Sequence, residues 1–204
     1  EWICKELTRA LTNNRLVRNN LNHNNINSNN INSKINIKGN TGTDIKQVTE
    51  NMDVNQAKLS LGFRTNTLPT EEDYYSLIVY NIVLGGGVYS KLFQKVREEA
   101  GLAYYIFSQL EKFKGLLLIT CGIEVDDKDR TVDIISKQIN SIKSGNITDY
   151  EFESAIKSIE TGVGFLKDSQ LQITDYYFSQ VLAETNDSFE TLLKKIKKTS
   201  IKSI

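Results

Sequence analysis

The residues whose types and spacing are best suited to chemistry lie between Leu84 and Tyr104, in the stretch LGGGVYSKLFQKVREEAGLAY. Its three consecutive glycines, Gly85, Gly86 and Gly87, could cradle a phosphate through their backbone N–H groups. However, the P-loop spacing GxxxxGK[ST] is absent, and the glycines follow a predicted helix. We therefore interpret them as a structural turn between two apolar helices, where glycine permits a sharp turn and close approach of the backbone.

Side chains that bind metals are scarce in this sequence. Cys4 and Cys121 are far apart and form no CxxC motif, and His23 is the single histidine. Structural and catalytic zinc sites need three or four converging Cys, His or carboxylate ligands, so we expect no metal site within this chain. Two widely separated cysteines are also typical of a reducing compartment, and we expect a cytoplasmic location.

The overall charge gives no reason to expect nucleic acid or membrane as a partner. Lys and Arg total 25, Asp and Glu total 25, and the formal net charge is zero. No apolar stretch approaches the ~18 residues of a transmembrane helix. Lysines near the C-terminus raise nucleic-acid binding as an alternative, but they surround a helix whose buried side is apolar, and no aromatic residue is interleaved for base stacking. These lysines are Lys194, Lys195, Lys197, Lys198 and Lys202.

The composition changes along the chain and divides it into three parts. Ile3, Leu7 and Leu11 have helical spacing, so we expect residues 1–12 to be the end of a preceding helix. Residues 13–45 are predicted to be a linker, because Asn13 to Asn40 contains 13 asparagines and too little apolar surface to offset the entropy of ordering. An asparagine-rich assembly segment is the alternative. Residues 46–204 are predicted to be one domain, and we expect the chain to be truncated at both ends.

Hydrophobic periodicity in residues 46–204 predicts an α+β domain. Alternation from Val54 to Phe63 predicts a strand, and two apolar stretches at 102–110 and 115–125 predict a hairpin. Helices are predicted after Thr70 as N-cap, around residues 92–96, after residues 126–127, after the capping box of Thr148 and Glu151, at 176–184 and at 188–198. This order indicates a largely antiparallel sheet with helices packed on one face.

The stretch from Leu84 to Tyr104 closely resembles the signature LGGGxxSxLFxxxRExxGLAY. That signature belongs to the second domain of pitrilysin-type, or insulinase (M16), zinc metallopeptidases and of the mitochondrial processing peptidases. The resemblance extends over about Asn51 to Ile204 and includes DVNQAKLSLGFRT and TDYEFESAIKSI. It implies a LuxS/MPP-like domain in a chamber that closes around a peptide. The first strand is most similar to the YmfF-like bacterial branch, whose members look like catalytically silent halves that pair with a zinc-bearing sister.

The resemblance also implies which residues face the peptide. In active members, zinc is held by an HxxEH helix in another domain, and an arginine and a tyrosine matching Arg97 and Tyr104 reach the substrate carbonyl. No HxxEH occurs here, so we expect no catalytic residues in isolation and zinc only in a partner domain or subunit. Members often have an arginine where this chain has Lys91, so we expect Lys91→Ala to have little effect on peptide turnover in the complete complex.

Two hypotheses on function remain open from the sequence. In the first, the chain is the non-zinc-bearing domain of an M16-like metallopeptidase and helps to bind peptide substrate. In the second, it is a catalytically silent scaffold half of a processing-peptidase-like heterodimer. In either case the expected partner is a zinc-bearing M16 half or a homodimer mate, and the chain alone is expected to be inactive.

Overall fold

The computed structural model describes residues 47–204. The predicted helix end at 1–12 and the predicted asparagine-rich linker at 13–45 lie outside the described residues. Within 47–204 the structure is an α+β domain, as the sequence predicts, with a small antiparallel sheet and helices that cover one of its faces.

The sheet has three strands: β1 (Ala57–Arg64), β2 (Ala103–Glu111) and β3 (Leu116–Ile123). Their order is β1-β3-β2, and both pairings are antiparallel, so the hairpin partner β3 is the central strand. The hairpin turns where predicted, and the backbone N–H of Lys114 donates to the Glu111 carbonyl at 2.9 Å. Gly115 follows with φ +58°, a conformation that glycine adopts without steric cost.

Five α-helices follow one another around the sheet, with a π-helical turn before β2. The helices are α1 (Asp73–Gly85), α2 (Lys128–Lys143), α3 (Asp149–Lys167), α4 (Gln170–Leu182) and α5 (Phe189–Lys197). The π-helix spans Phe93–Glu99, and short 3-10 helices occupy Val125–Asp127 and Ile201–Ser203. Helix α1 packs against β2, α3 and α5, and this arrangement places it at the centre of the helical layer.

Only some of the helix starts in the structure agree with those predicted from the sequence. The capping box of Thr148 and Glu151 is present at the start of α3, which confirms that prediction. The predicted Thr70 cap is wrong: α1 begins at Asp73, and the Glu71 carboxylate instead accepts a hydrogen bond from the Leu68 N–H at 3.1 Å. The turn at residues 69–70 places Thr70 too far ahead of the helix to reach its free N–H groups. Helix α4 starts at Gln170, earlier than the periodicity indicates, because the Ser169 hydroxyl caps it.

The core lies between the sheet and the helices. The inner face of β3 is fully covered, and Ile119 and Cys121 there have no exposed surface. Residues from α1, the π-helix and α2 close over it, with Val79, Val96 and Ile135 also at zero exposure. On the opposite face Tyr105 and Phe107 are stacked with ring centroids 6.1 Å apart and remain exposed among the described residues. In the part of the chain from 47 to 204, no helix is long and apolar enough to cross a membrane.

A buried polar cluster ties the last helices to α1. Asp187 accepts hydrogen bonds from the Tyr75 hydroxyl and from Lys195 Nζ, the latter at 2.7 Å. Lys195 Nζ also donates to the Tyr75 hydroxyl at 2.8 Å, and Tyr176 donates to the Asp187 carbonyl at 2.9 Å. Burial and the bond to Asp187 raise the pKa of Tyr75. Because Asp187 is buried, its carboxylate depends on these donors to replace water.

We expect Asp187→Ala to lower the free energy of unfolding by about 2–3 kcal/mol, because it leaves the buried Tyr75 hydroxyl and Lys195 without their shared acceptor. Urea denaturation followed by circular dichroism measures this. Asp175→Ala, an exposed aspartate on α4, is the matched control and should change stability by less than about 0.5 kcal/mol. An equal effect of both substitutions would contradict a special role for the cluster.

Candidate functional site

Tyr104 occupies a β-bulge at the start of β2. In the ladder with β3, Ala103 pairs with Ile123 and Tyr105 pairs with Gly122, so Tyr104 is the extra residue. In a regular strand, neighbours point to opposite faces, but here both Tyr104 and Tyr105 are exposed. A bulge inserts one unpaired residue and redirects its side chain. The phenol of Tyr104 therefore projects from the domain with 52% of the residue exposed.

The hydroxyl of Tyr104 already has a partner. It donates a hydrogen bond to the carboxylate of Glu124, the residue that follows β3. The hydrogen bond and the charge of Glu124 both favour the protonated phenol, and they raise the pKa of Tyr104 above its ordinary value of 10.0. Tyr104 thus remains a neutral hydrogen-bond donor at any physiological pH.

Arg97 lies on the π-helix that precedes β2. Its guanidinium stacks over the ring of Phe93, with 4.7 Å from the central carbon to the ring centroid, and 42% of its side chain is exposed. The sequence predicts an ordinary α-helix here, but the backbone adopts the wider π form, which is rare and often found at functional sites. Gly101, with φ +67°, ends the helix, and the Leu102 N–H donates to the Val96 carbonyl at 3.0 Å.

Arg97 and Tyr104 therefore flank one short turn between the π-helix and β2. Among the described residues, no hydrogen bond joins them, and each is held by its own neighbour, Phe93 or Glu124. Val96, the residue before Arg97, is fully buried and anchors the π-helix to the core. The turn therefore carries one cation and one neutral phenol, both partly open to solvent, and these are groups of the kind that stabilise a polarised carbonyl oxygen.

The three glycines differ in what they do. A Cβ on Gly85 would lie 2.7 Å from the backbone nitrogen of Ser108 in β2, so this glycine permits close packing of α1 on the sheet. A Cβ on Gly86 would meet Ile82 at 2.5 Å, whereas one on Gly87 would meet nothing within 4 Å. The turn is therefore built on close approach at two of the three positions rather than on left-handed backbone.

Lys91 is buried, which the sequence analysis did not anticipate. Its Nζ donates to both oxygens of Glu151, at 2.8 and 3.0 Å, and connects the residues after the glycine turn to the start of α3. Glu151 also closes the capping box with Thr148. Burial alone would raise the pKa of Glu151, but the bonds from Lys91 and Thr148 lower it overall. The expectation that Lys91→Ala has little effect on turnover stays a prediction, but the substitution would remove the countercharge of Glu151 and so bears on stability.

A shallow depression beside the glycine turn does not suit a phosphate. It is lined by residues of the turn and of α3, including the Glu151 carboxylate and three serines, Ser90, Ser154 and Ser158. The positive charge of Lys91 is already neutralised by Glu151, so the depression has no net positive charge to attract an anion.

The signature that contains Arg97 and Tyr104 is matched by a known family. A family model described as the peptidase M16 inactive domain matches residues 18–159. The chain belongs to this family.

The Bacillus subtilis protein named "Probable inactive metalloprotease YmfF" is 35% identical over 159 residues, which are 78% of this chain and 37% of that protein. The Bacillus subtilis protein "Uncharacterized zinc protease YmxG" is 35% identical over 112 residues, 54% of this chain and 27% of that protein. The chain thus spans between about a quarter and little more than a third of the length of these curated relatives.

Solved structures have the same fold. A conserved protein from Enterococcus faecalis V583 superposes with a TM-score of 0.68 at 26% identity, over 74% of this chain and 36% of that one. A peptidase M16 inactive domain from Pseudomonas fluorescens superposes with a TM-score of 0.64 at 20% identity, over 72% of this chain and 36% of that one. The M16 inactive-domain fold, expected from the residues around Arg97 and Tyr104, is confirmed.

The described residues do not fit the zinc ion that this peptidase family implies. Between residues 47 and 204, no group of three or more His, Cys, Asp or Glu side chains is placed to hold a metal. Cys121 is buried in β3, and burial raises the pKa of its thiol to about 11, so it remains protonated and is a poor metal ligand. Residues 47–204 therefore do not provide a zinc centre.

We expect Lys91→Ala to lower the free energy of unfolding by about 2 kcal/mol at pH 7, because a mostly buried carboxylate loses its charged donor. Lys91→Arg, which keeps the charge, should retain most of the stability. The exposed Lys95→Ala is the matched control and should cost less than about 0.5 kcal/mol. Urea denaturation measures all three.

The ion pair of Lys91 and Glu151 predicts that the stability of the domain changes with pH in the acid range. The pKa of Glu151 is lower in the folded chain than its ordinary value of 4.5, so the ionised form stabilises the fold above that value. This contribution should be lost as the pH falls below about 4.5 and through the lower folded pKa. The stability difference between Lys91→Ala and the unsubstituted chain should therefore shrink in acid. A difference that stays constant from pH 7 to pH 3 would contradict the ion pair.

Proposed function

We propose that this chain is the non-zinc-bearing domain of an M16-like metallopeptidase. In this role it helps to enclose and orient a peptide at a zinc site carried by another domain or by a partner subunit. The observation that carries the proposal is the β-bulge at Tyr104. It turns a phenol out of the sheet one short turn after the exposed Arg97 in the sequence, within the segment matched by the family model.

The chemistry of the two side chains supports this role. Hydrolysis of a peptide places negative charge on the carbonyl oxygen, and preorganised donors at that oxygen lower the barrier. A guanidinium is charged at all relevant pH values, and Tyr104 stays protonated, so Arg97 can donate and Tyr104 can do so once its hydroxyl leaves Glu124. Arg97 is restrained by stacking on Phe93, and Tyr104 by its position in the sheet, so little side-chain entropy is lost when they bind.

A silent scaffold is the second candidate, and one observation favours it. The Tyr104 hydroxyl is engaged by Glu124, so its single proton is not directed at a ligand. In this alternative the chain stabilises a zinc-bearing half through its surface alone, and Arg97 and Tyr104 are interface or solvent residues.

The partner and the compartment are also proposals. A zinc-bearing M16 half or a second copy of this chain would complete the chamber. Two of the C-terminal lysines are paired with carboxylates, Lys195 with Asp187 at 2.7 Å and Lys197 with Glu160 at 2.5 Å, which argues against a basic surface for nucleic acid. The buried thiol of Cys121 is compatible with the reducing cytoplasm.

In the complete assembly with its zinc-bearing partner, we expect Arg97→Ala and Tyr104→Phe each to lower peptide turnover by about 10- to 1000-fold. Each substitution removes one donor to the carbonyl oxygen, while assembly and zinc content should be unchanged. Steady-state kinetics, size-exclusion chromatography and metal analysis provide the three measurements.

Lys95→Ala is the matched control for these variants, since it removes an exposed cation from the same π-helix. It should leave turnover within about twofold. Full turnover in both Arg97→Ala and Tyr104→Phe would eliminate the peptide-orienting role and favour the scaffold.

We also expect the 204-residue chain by itself to bind no stoichiometric zinc and to hydrolyse no peptide. A single histidine and two distant cysteines do not provide three converging ligands. Metal analysis of chelator-washed protein tests this, and about one zinc per chain would refute it.

A further inference from the structure

The hydrogen bond between Tyr104 and Glu124 limits what Tyr104 can do. A tyrosine hydroxyl has one proton, and in the structure that proton is donated to the Glu124 carboxylate. The same proton cannot simultaneously be donated to a peptide carbonyl. Any ligand that takes a hydrogen bond from Tyr104 must therefore displace Glu124.

The backbone holds Glu124 in place opposite Tyr104. Glu124 directly follows Ile123, the last residue of β3, and Ile123 pairs with Ala103 on one side of the bulge. Its backbone is extended, with φ −69° and ψ 150°, and its carbonyl accepts a hydrogen bond from the Asp127 N–H at 3.2 Å. The backbone of Glu124 is thus held by the sheet end on one side and by the 3-10 turn on the other, and its exposed side chain reaches Tyr104 from this position.

The Tyr104 hydroxyl binds a charged acceptor such as the Glu124 carboxylate more strongly than a neutral one. Hydrogen bonds to an ionised group are roughly twice as strong as neutral ones. Glu124 is the charged group that acts on the Tyr104 phenol in the described part of the chain. A neutral peptide carbonyl therefore competes at a disadvantage for the hydroxyl unless Arg97 or a partner contributes to its binding.

We infer that Glu124 is a positioning residue that holds the Tyr104 hydroxyl in a resting state, and that a bound peptide carbonyl displaces it. This inference rests on the proposed function of Tyr104 as a carbonyl donor. It assigns to Glu124 a regulatory role at the same site: the carboxylate keeps Tyr104 pointed at the sheet end until a peptide with a strong acceptor arrives.

The test uses Glu124→Gln in the complete assembly, because glutamine has a similar shape but lacks the charge. A weaker hydrogen bond from Tyr104 to residue 124 should strengthen the binding of the peptide and of the transition state equally. KM should therefore fall by about 3- to 10-fold while kcat stays within about twofold. In the Tyr104→Phe background, Glu124→Gln should have no effect on KM. Asp126→Asn, which removes a nearby exposed carboxylate, is the matched control and should leave KM unchanged.

A second measurement reports the hydrogen bond without any turnover. Tyrosine labelled with carbon-13 at Cζ gives one NMR titration for each phenol of the chain, and Tyr104→Phe identifies the signal of Tyr104. The titration midpoint of Tyr104 should be lower in Glu124→Gln than in the unsubstituted chain, because the carboxylate favours the protonated phenol.

The outcomes separate this inference from the function on which it rests. Reduced turnover in Tyr104→Phe together with an unchanged or raised KM in Glu124→Gln would overturn the inference and leave the proposed function standing. An unchanged phenol midpoint in Glu124→Gln would also overturn it. Full turnover in Tyr104→Phe would remove the proposed function, and the resting-state role of Glu124 with it.

Discussion

The packing of helices on the inner face of β3 is the interaction on which the rest of the domain depends. β3 is hydrogen-bonded on both edges, and its inward side chains Leu117, Ile119, Cys121 and Ile123 are at most 4% exposed. Covering this face removes a continuous apolar surface from water, and such burial is the dominant favourable term in folding. The close approach of α1 depends on Gly85, because any side chain there would collide with Ser108 in β2. The contact of α1 with β2 thus helps to set the position of β2 and of Tyr104 near its start.

The site arises where the regular pattern of the sheet is interrupted. Without the bulge, alternation along β2 would place Tyr104 and Tyr105 on opposite faces, and one of them would point into the core. The bulge keeps both rings outside, and it preserves the inward direction of Ala103 and Ile106. The π-helix is a second irregularity only a few residues away, and it carries Arg97, which stacks over Phe93. Two departures from regular geometry thus flank one turn, and together they expose one cation and one phenol.

Polar contacts fix the helices that the apolar core alone would leave free to shift. The pair of Lys91 and Glu151 joins the segment after the glycine turn to α3, and the cluster around Asp187 joins α1 to α5. The carboxylates of Glu151 and Asp187 are mostly buried, and a buried charge is tolerated only when its donors are fixed in position. These contacts are directional, so they specify one arrangement of the helices, whereas hydrophobic burial by itself is non-directional.

The sequence by itself determined the fold class, the hairpin, the glycine turn and the family, because these depend on local patterns: alternation, helical spacing and a run of residues in register. It also determined the capping box of Thr148 and Glu151, whose partners are three residues apart. Only the tertiary structure decided the bulge at Tyr104, the bond from Tyr104 to Glu124, and the partners of Lys91 and Asp187. The partners of Lys91 are 60 positions away, and those of Tyr75 are 112 and 120 positions away. Contacts between such distant residues follow from how the helices pack on the sheet, and no local period in the sequence encodes them.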